Sequence, residues 1–379
     1  MLKKRINILT LLLVSAFSCA ITIGGIAYGL HAATGNLPEA VKFFRALYLI
    51  RNNFVEPADN VQLYRGAIKG MVNALGDPYS VYLDEENFSS LMTNTEGYFG
   101  GIGIVIGMKD DDFVVIAPLK GTPGERAGIK SGDSIISIDG KKTAGQTLTE
   151  VVAQIRGPEG TDVELEIGSS TKEVKIVRVV RSNIKLETVA GEIREKKIGY
   201  IRIGMFNENT ASDFSKKYQE LENLGMEALV LDLRDNPGGL LSESVKVAEL
   251  MVPKGPIVSV TERSGKSVTE YSNLQKTKYP IAVLVNQGTA SAAEIVAGAL
   301  QDTRSGKLFG AKTFGKGSVQ SVSALDKQTG LKLTVAHYQT PNGRKINGVG
   351  LEPDVSVETD DVKIIPAAIA YLEQQIKDN

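Results

Sequence analysis

The chain is poor in the residues that most enzymes use for acid–base and metal chemistry: its 379 residues include two histidines, one cysteine and no tryptophan. A histidine-rich zinc site is excluded by counting, and a lone cysteine makes neither an intrachain disulfide nor a thiolate cluster. His31 lies at the edge of an apolar N-terminal stretch, which leaves His337. That residue sits in the alternating run Leu331-Lys332-Leu333-Thr334-Val335-Ala336-His337-Tyr338, which reads as a strand and makes it a structural residue rather than a base. The chain also lacks an excess of either charge. At a net charge of −1 it carries no basic footprint for nucleic acid.

A hydrophobic content of 42% is enough for two or three packed domains. Lys3, Lys4 and Arg5 precede an uncharged stretch over 6–33, longer than the about 18 residues that suffice to cross a bilayer. Such a segment targets export and serves as a signal sequence or an uncleaved anchor, with the body outside the cytoplasm. Cys19 follows Ala16-Phe17-Ser18, which is not a lipidation context, and reads as membrane-embedded. Beyond it, apolar residues at helical spacing predict two amphipathic helices over 37–55 and 61–75, which need a further surface to pack on. Gly76-Asp77-Pro78-Tyr79-Ser80 is turn chemistry that ends them.

From Gly97 the composition turns to glycine and β-branched residues. The segments Gly100-Gly101-Ile102-Gly103-Ile104, Pro123-Gly124-Glu125-Arg126-Ala127-Gly128 and Gly132-Asp133-Ser134-Ile135-Ile136 predict a small β-rich module, with a helix over 148–155. A phosphate-loop reading fails, because no Gly-Lys-Ser/Thr follows the glycines and the chain continues as a strand. These segments resemble a PDZ domain over 97–182. The resemblance implies capture of a peptide C-terminus by the amides of Ile102, Gly103 and Ile104, the peptide adding a strand to the sheet edge.

After residue 190, strands and helices alternate: strands 198–203, 228–233 and 281–285, helices 210–224, 240–252 and 291–301. Thr210 with Asp213 suggests a capping box and Gly225 a stop. The pattern predicts a parallel βαβ sheet covered on both faces, with ligands beyond the strand C-termini, where Ser291 falls.

Ser291 lies in Gly288-Thr289-Ala290-Ser291-Ala292-Ala293-Glu294, and Lys316 and Gln320 lie in Phe314-Gly315-Lys316-Gly317-Ser318-Val319-Gln320. A serine at a helix start and a glycine-flanked lysine suit a hydrolase whose base is an amine. The lysine must be neutral to accept the serine proton, so burial has to lower its pKa. Gln320 offers an amide to hold that amine without restoring its charge. The Ala292 N–H at the helix start is a natural oxyanion donor, and the glycines after Arg234-Asp235-Asn236-Pro237 supply a second, Gly238 first and Gly239 in reserve.

With these blocks in view, the sequence resembles the bacterial C-terminal processing, or tail-specific, serine peptidases nearly end to end. The shared blocks include Gly76-Asp77-Pro78-Tyr79-Ser80-Val81-Tyr82-Leu83, the PDZ segments, Asp232-Leu233-Arg234-Asp235-Asn236-Pro237-Gly238-Gly239 and the serine and lysine segments. The resemblance implies a multidomain α+β protein with a crotonase/ClpP-like protease core. In it Ser291 is the nucleophile, Lys316 the general base, Gln320 its orienting residue, and Gly238 and Ala292 the oxyanion hole. It implies no cofactor or metal, substrates with free C-termini and a homodimer. The expected domains are 1–33 anchor, 37–95 helical region, 97–182 PDZ, 183–356 protease core and 357–379 C-terminal helical segment. Two rival readings are a PDZ binding protein that has lost catalysis, and a triad hydrolase using His337.

Overall fold

The computed structural model describes residues 8–109, 112–119, 121–168 and 174–378; Lys3, Lys4 and Arg5 lie outside them. The chain divides into two compact units, 1–76 and 77–379.

The first unit is helical. Ile8–Thr34 forms one helix, whose segment Leu12–Gly29 has a mean hydropathy of 1.7 and no buried residue. Leu37–Asn53 follows, with the Asn36 side chain accepting the Glu39 N–H and a proline in the first turn, where its missing N–H costs nothing. Asp59 caps the next helix, Asn60–Asn73, through the Val61 N–H at 2.8 Å. Phe44, Tyr48, Phe54 and Tyr64 leave about half or more of their surface exposed on this unit.

The second unit begins with the turn over 77–80 and a helix beyond the two to which the spacing assigns bounds, Glu85–Glu96, capped by Asp84 at its start and by left-handed Gly97 at its end. A two-stranded ladder of Tyr98–Gly101 with Ser182–Lys185 brackets the β-rich module. The module's antiparallel sheet runs Ile104–Lys109, Asp112–Pro118, Ser134–Ile138, Asp162–Gly168, Val174–Val180. Ile104–Lys109 is therefore an edge strand, and the helix Leu148–Ile155 packs against it. The module has its own core around Ile102, Phe113, Ile138, Val151 and Leu165.

The remaining residues build a six-stranded sheet in the order Val189–Arg194, Ile198–Ile203, Ala228–Asp232, Ile281–Val285, Lys307–Gly310, Val355–Ser356, parallel except for its first pair. Its two central strands are buried at every residue, because successive side chains enter different cores. Leu229, Leu231, Val283 and Val285 meet the helices Thr210–Asn223, Leu241–Glu249 and Ala292–Asp302. Val230, Ala282 and Leu284 meet the C-terminal helix Asp361–Asp378. A second, antiparallel sheet places Gly330–Gln339 between Val81–Leu83 and Gly255–Glu262, with Ser318–Ala324 also paired to it.

The capping box expected of Thr210 and Asp213 does not form. The capping position falls one residue earlier, at Asn209, so Thr210 lies in the first turn, where its hydroxyl accepts the Asn207 backbone N–H at 2.9 Å and Asp213 pairs with Lys185. Gly225 does end that helix, in the left-handed region at φ 83°.

Candidate active site

The strand Ala228–Asp232 leads into the turn Leu233–Leu240, and the strand Ile281–Val285 into the loop that carries Ser291; both loops emerge at the C-terminal edge of the parallel sheet. Arg234 grips Asp232 through its side-chain nitrogens at 2.9 and 2.5 Å and donates to the Thr359 carbonyl at 2.8 Å, which fixes the exit of the first strand. Asn286 then ties the two loops together: its Oδ1 accepts the Asp235 N–H and its Nδ2 donates to Asp235 Oδ1. The Ala290 N–H adds a bond to the Asn236 carbonyl.

Ser291 does not begin the helix, as the periodicity had suggested, but stands just before it with φ 54° and ψ −119°. This is a conformation that side-chain-bearing residues avoid, and it turns the serine out at a sharp strand-to-helix elbow. The elbow is crowded: a Cβ on Gly238, itself at φ 98°, would lie 2.7 Å from Ser291 Cβ and 2.9 Å from the Ala292 nitrogen. Only glycine lets the Pro237–Gly239 turn approach Ser291 this closely.

Ser291, Lys316, Gln320, Gly238, Gly239 and Ala292 all line one cavity of about 410 Å³, together with Lys332, Tyr338 and apolar residues that include Met205, Leu241 and Ile295. Among the described residues no hydrogen bond joins the Ser291 hydroxyl to the Lys316 amine. The Lys316 pKa is lowered from its usual value. Burial does most of this, repulsion by Lys332 adds to it, and Asp77 and Glu294 pull the other way. The direction is the one that a lysine acting as a base requires.

The other expected site residues share the cavity with different partners. Gln320 donates its amide hydrogens to the hydroxyls of Ser318 at 2.9 Å and Thr334 at 3.2 Å, beside a bulge in the ladder between Val319 and Gln320. The Gly238 N–H is engaged by Asn236 Oδ1 at 2.9 Å. The N–H groups of Gly239 and Ala292 have no acceptor among the described residues. His337 lies exposed on its strand and outside this cavity, opposite Thr261 of the neighbouring strand.

Several participants had no sequence-level signal beyond their place in a motif. The Gly76–Ser80 turn is locked by Ser80 donating to Asp77 at 2.5 Å and accepting the Thr334 N–H at 3.0 Å, which brings the Tyr79 ring to Lys316. Leu91, Asn94 and Thr95 of the helix Glu85–Glu96 form part of the cavity wall. The signal for that helix was present as Asp84 three residues before Asn87 with Gly97 at the far end.

In the PDZ-like module, Ile102 is fully buried and its carbonyl accepts the Gly124 N–H at 2.7 Å. Gly103, at φ 71°, accepts from the Leu119 N–H and the Thr122 hydroxyl. The N–H groups of Ile102 and Gly103 have no acceptor among the described residues, and Ile104 opens the edge strand.

The profile of peptidase family S41 matches residues 197–357, the segment that holds the elbow, the lysine and the paired loops. A PDZ profile matches 114–167, and the N-terminal domain of the activating protease CtpB matches 26–87. Carboxy-terminal processing protease CtpA of Bacillus subtilis is 37% identical over 95% of this chain and 78% of its own length. The chain belongs to this family of carboxy-terminal processing proteases. It is a serine-type peptidase with a PDZ domain. Carboxy-terminal processing protease CtpB of the same organism is 39% identical over 84% of this chain and 68% of its own length. The solved photosystem II D1 C-terminal processing protease superposes with a TM-score of 0.50 at 32% identity, over 84% of this chain and 87% of that one.

Proposed function

We propose that this S41 peptidase is an extracytoplasmic endopeptidase that captures protein C-termini in its PDZ groove and cleaves near them with a Ser291–Lys316 dyad. The observation that carries the reading is the shared cavity: a serine held at a strained strand-to-helix elbow and a lysine held below its usual pKa open into the same enclosure. Neutral Lys316 takes the Ser291 proton, the hydroxyl attacks the scissile carbonyl, and the amine returns the proton to the leaving nitrogen; water then hydrolyses the acyl-enzyme.

The oxyanion is held by the Ala292 N–H and by a second donor from the glycine turn. Gly239 is free to donate, and Gly238 joins once Asn236 turns away. Gln320 orients the amine through its Oε1, which faces no donor among the described residues while its nitrogen is held by Ser318 and Thr334. The unpaired amides of Ile102 and Gly103, with Ile104 at the head of the edge strand, hold the substrate carboxylate. The dry parallel sheet behind the elbow is read as a crotonase/ClpP-like core. No cofactor enters this chemistry.

The unburied apolar helix Leu12–Gly29 supports export and membrane attachment, and the exposed aromatic residues of the first unit support a homodimer. The test is cleavage of an unstructured protein with an apolar C-terminus by wild type, Ser291→Ala, Lys316→Ala and His337→Ala. Activity should vanish in the first two variants, persist in the third and ignore chelators. Survival in Lys316→Ala with loss in His337→Ala would replace the dyad by a histidine triad.

A further inference from the structure

Two side chains that take no proton in this chemistry hold the peptide groups of both the nucleophile and the base. Glu294 is fully buried, and its Oε2 accepts the N–H of Ser291 at 2.9 Å and the N–H of Lys316 at 2.8 Å. Its Oε1 accepts the Gly315 N–H at 2.8 Å and the Thr313 hydroxyl at 2.5 Å. Across from it the Tyr338 hydroxyl lies 3.0 Å from the Ser291 carbonyl and 2.6 Å from the Lys316 carbonyl. Each of the two residues thus has its N–H on Glu294 and its C=O on Tyr338.

Helix capping explains one of these bonds, since a glutamate three residues into a helix commonly accepts the N–H of the capping residue. It does not explain the rest, because Thr313, Gly315 and Lys316 belong to a separate segment, which the Phe314 N–H also ties to the Thr289 carbonyl just before the helix at 3.0 Å. A carboxylate in a dry interior is costly unless its lone pairs are filled, and here four donors fill them. The phenol is equally committed. Tyr338 is buried, with its hydroxyl pKa pushed well up by burial and by Glu294, so it stays a donor, and its single proton serves either carbonyl.

We propose that Glu294 and Tyr338 are positioning residues whose joint grip on the backbones of Ser291 and Lys316 sets the approach of the hydroxyl to the amine. The inference rests on the serine–lysine reading above. The two side chains work differently from a residue that touches substrate: they should govern how fast Ser291 is acylated and leave substrate capture alone.

The test uses the full chain, a serine-reactive fluorophosphonate as probe and an unstructured protein substrate, with peptide affinity at the PDZ groove and thermal stability measured alongside. Tyr338→Phe, which deletes only the hydroxyl, should slow labelling and kcat by about tenfold and leave KM and peptide affinity within about twofold. Glu294→Gln turns an N–H₂ toward at least one of the backbone donors and should slow both by about a hundredfold, with Glu294→Asp recovering part of the loss. Should the glutamate variants fail to fold, Tyr338→Phe decides alone. Labelling and kcat of Tyr338→Phe within about twofold of wild type, or an equal loss of kcat and peptide affinity, would overturn the proposal. A wild type that is not labelled at Ser291 removes the serine–lysine reading itself, and this inference with it.

Discussion

The centre of the Tyr79 ring lies 4.9 Å from the Lys316 amine. A ring face attracts a cation, and Asp77 on the same turn does so too, so this side of the site favours the protonated lysine. Burial and Lys332 favour the neutral amine and win, leaving the pKa below its usual value. In the proposed dyad the deprotonated form is the base, so kcat/KM should rise with pH through that lowered pKa and level off above it. Lys332→Met removes a like charge, raises the Lys316 pKa and should move the rising limb to higher pH. Tyr79→Leu removes an attraction for the cation and should move the limb the other way. A pH–rate profile of each variant checks the signs; limbs that stay in place would show that neither group reaches the base.

The backbone of Ser291 gives a second expectation. At φ 54° a residue with a Cβ is strained, while glycine accepts the conformation freely. Ser291→Ala and Ser291→Gly should both abolish acylation, but the glycine variant should be more stable than the alanine variant by about 1 kcal/mol. Denaturant unfolding of the two proteins measures the difference. Equal stabilities would mean that the elbow has relaxed and does not hold residue 291 under strain.

The same contrast between local and distant information runs through the reading of the sequence. Ile281–Val285 and Ala228–Asp232 announced themselves as buried parallel strands because both faces are apolar, and Ser291 was placed beyond their ends by the same logic. The role of Glu294 was invisible, although its motif was in plain view, since its partners Thr313, Gly315 and Lys316 come from a segment with no sequence proximity to it. Lys332 and Tyr338 were read as strand residues on either side of His337, which they are; nothing in an alternating pattern says which of them borders a cavity made by another sheet. The helix Glu85–Glu96 received no bounds because it is amphipathic only weakly and has no buried residue, so its start and stop residues were the sole signal. Thr210 and Asp213 failed as a capping box for the opposite reason: the local signal was there, and a neighbouring backbone N–H, that of Asn207, and a distant partner, Lys185, outcompeted it.

Gly103 is where the peptide-capture reading is most exposed to test. It stands at φ 71°, and a Cβ there would lie 2.4 Å from Thr122 Cβ, whose hydroxyl holds the Gly103 carbonyl at 3.0 Å. Gly103→Ala must therefore both strain the backbone and push Thr122 away, opening the turn that presents the N–H groups of Ile102 and Gly103. Affinity for a peptide with a free apolar C-terminus should fall by about tenfold or more, about 1.4 kcal/mol. Amidating the peptide should cost the wild type a similar amount, because two N–H donors aimed at a carboxylate lose a charged acceptor. In Gly103→Ala the amidation penalty should shrink, since the turn no longer holds either end group well. Fluorescence anisotropy with the paired peptides reads all four affinities. A wild type that binds the amidated and free peptides equally well would show that the carboxylate is held somewhere other than at this turn.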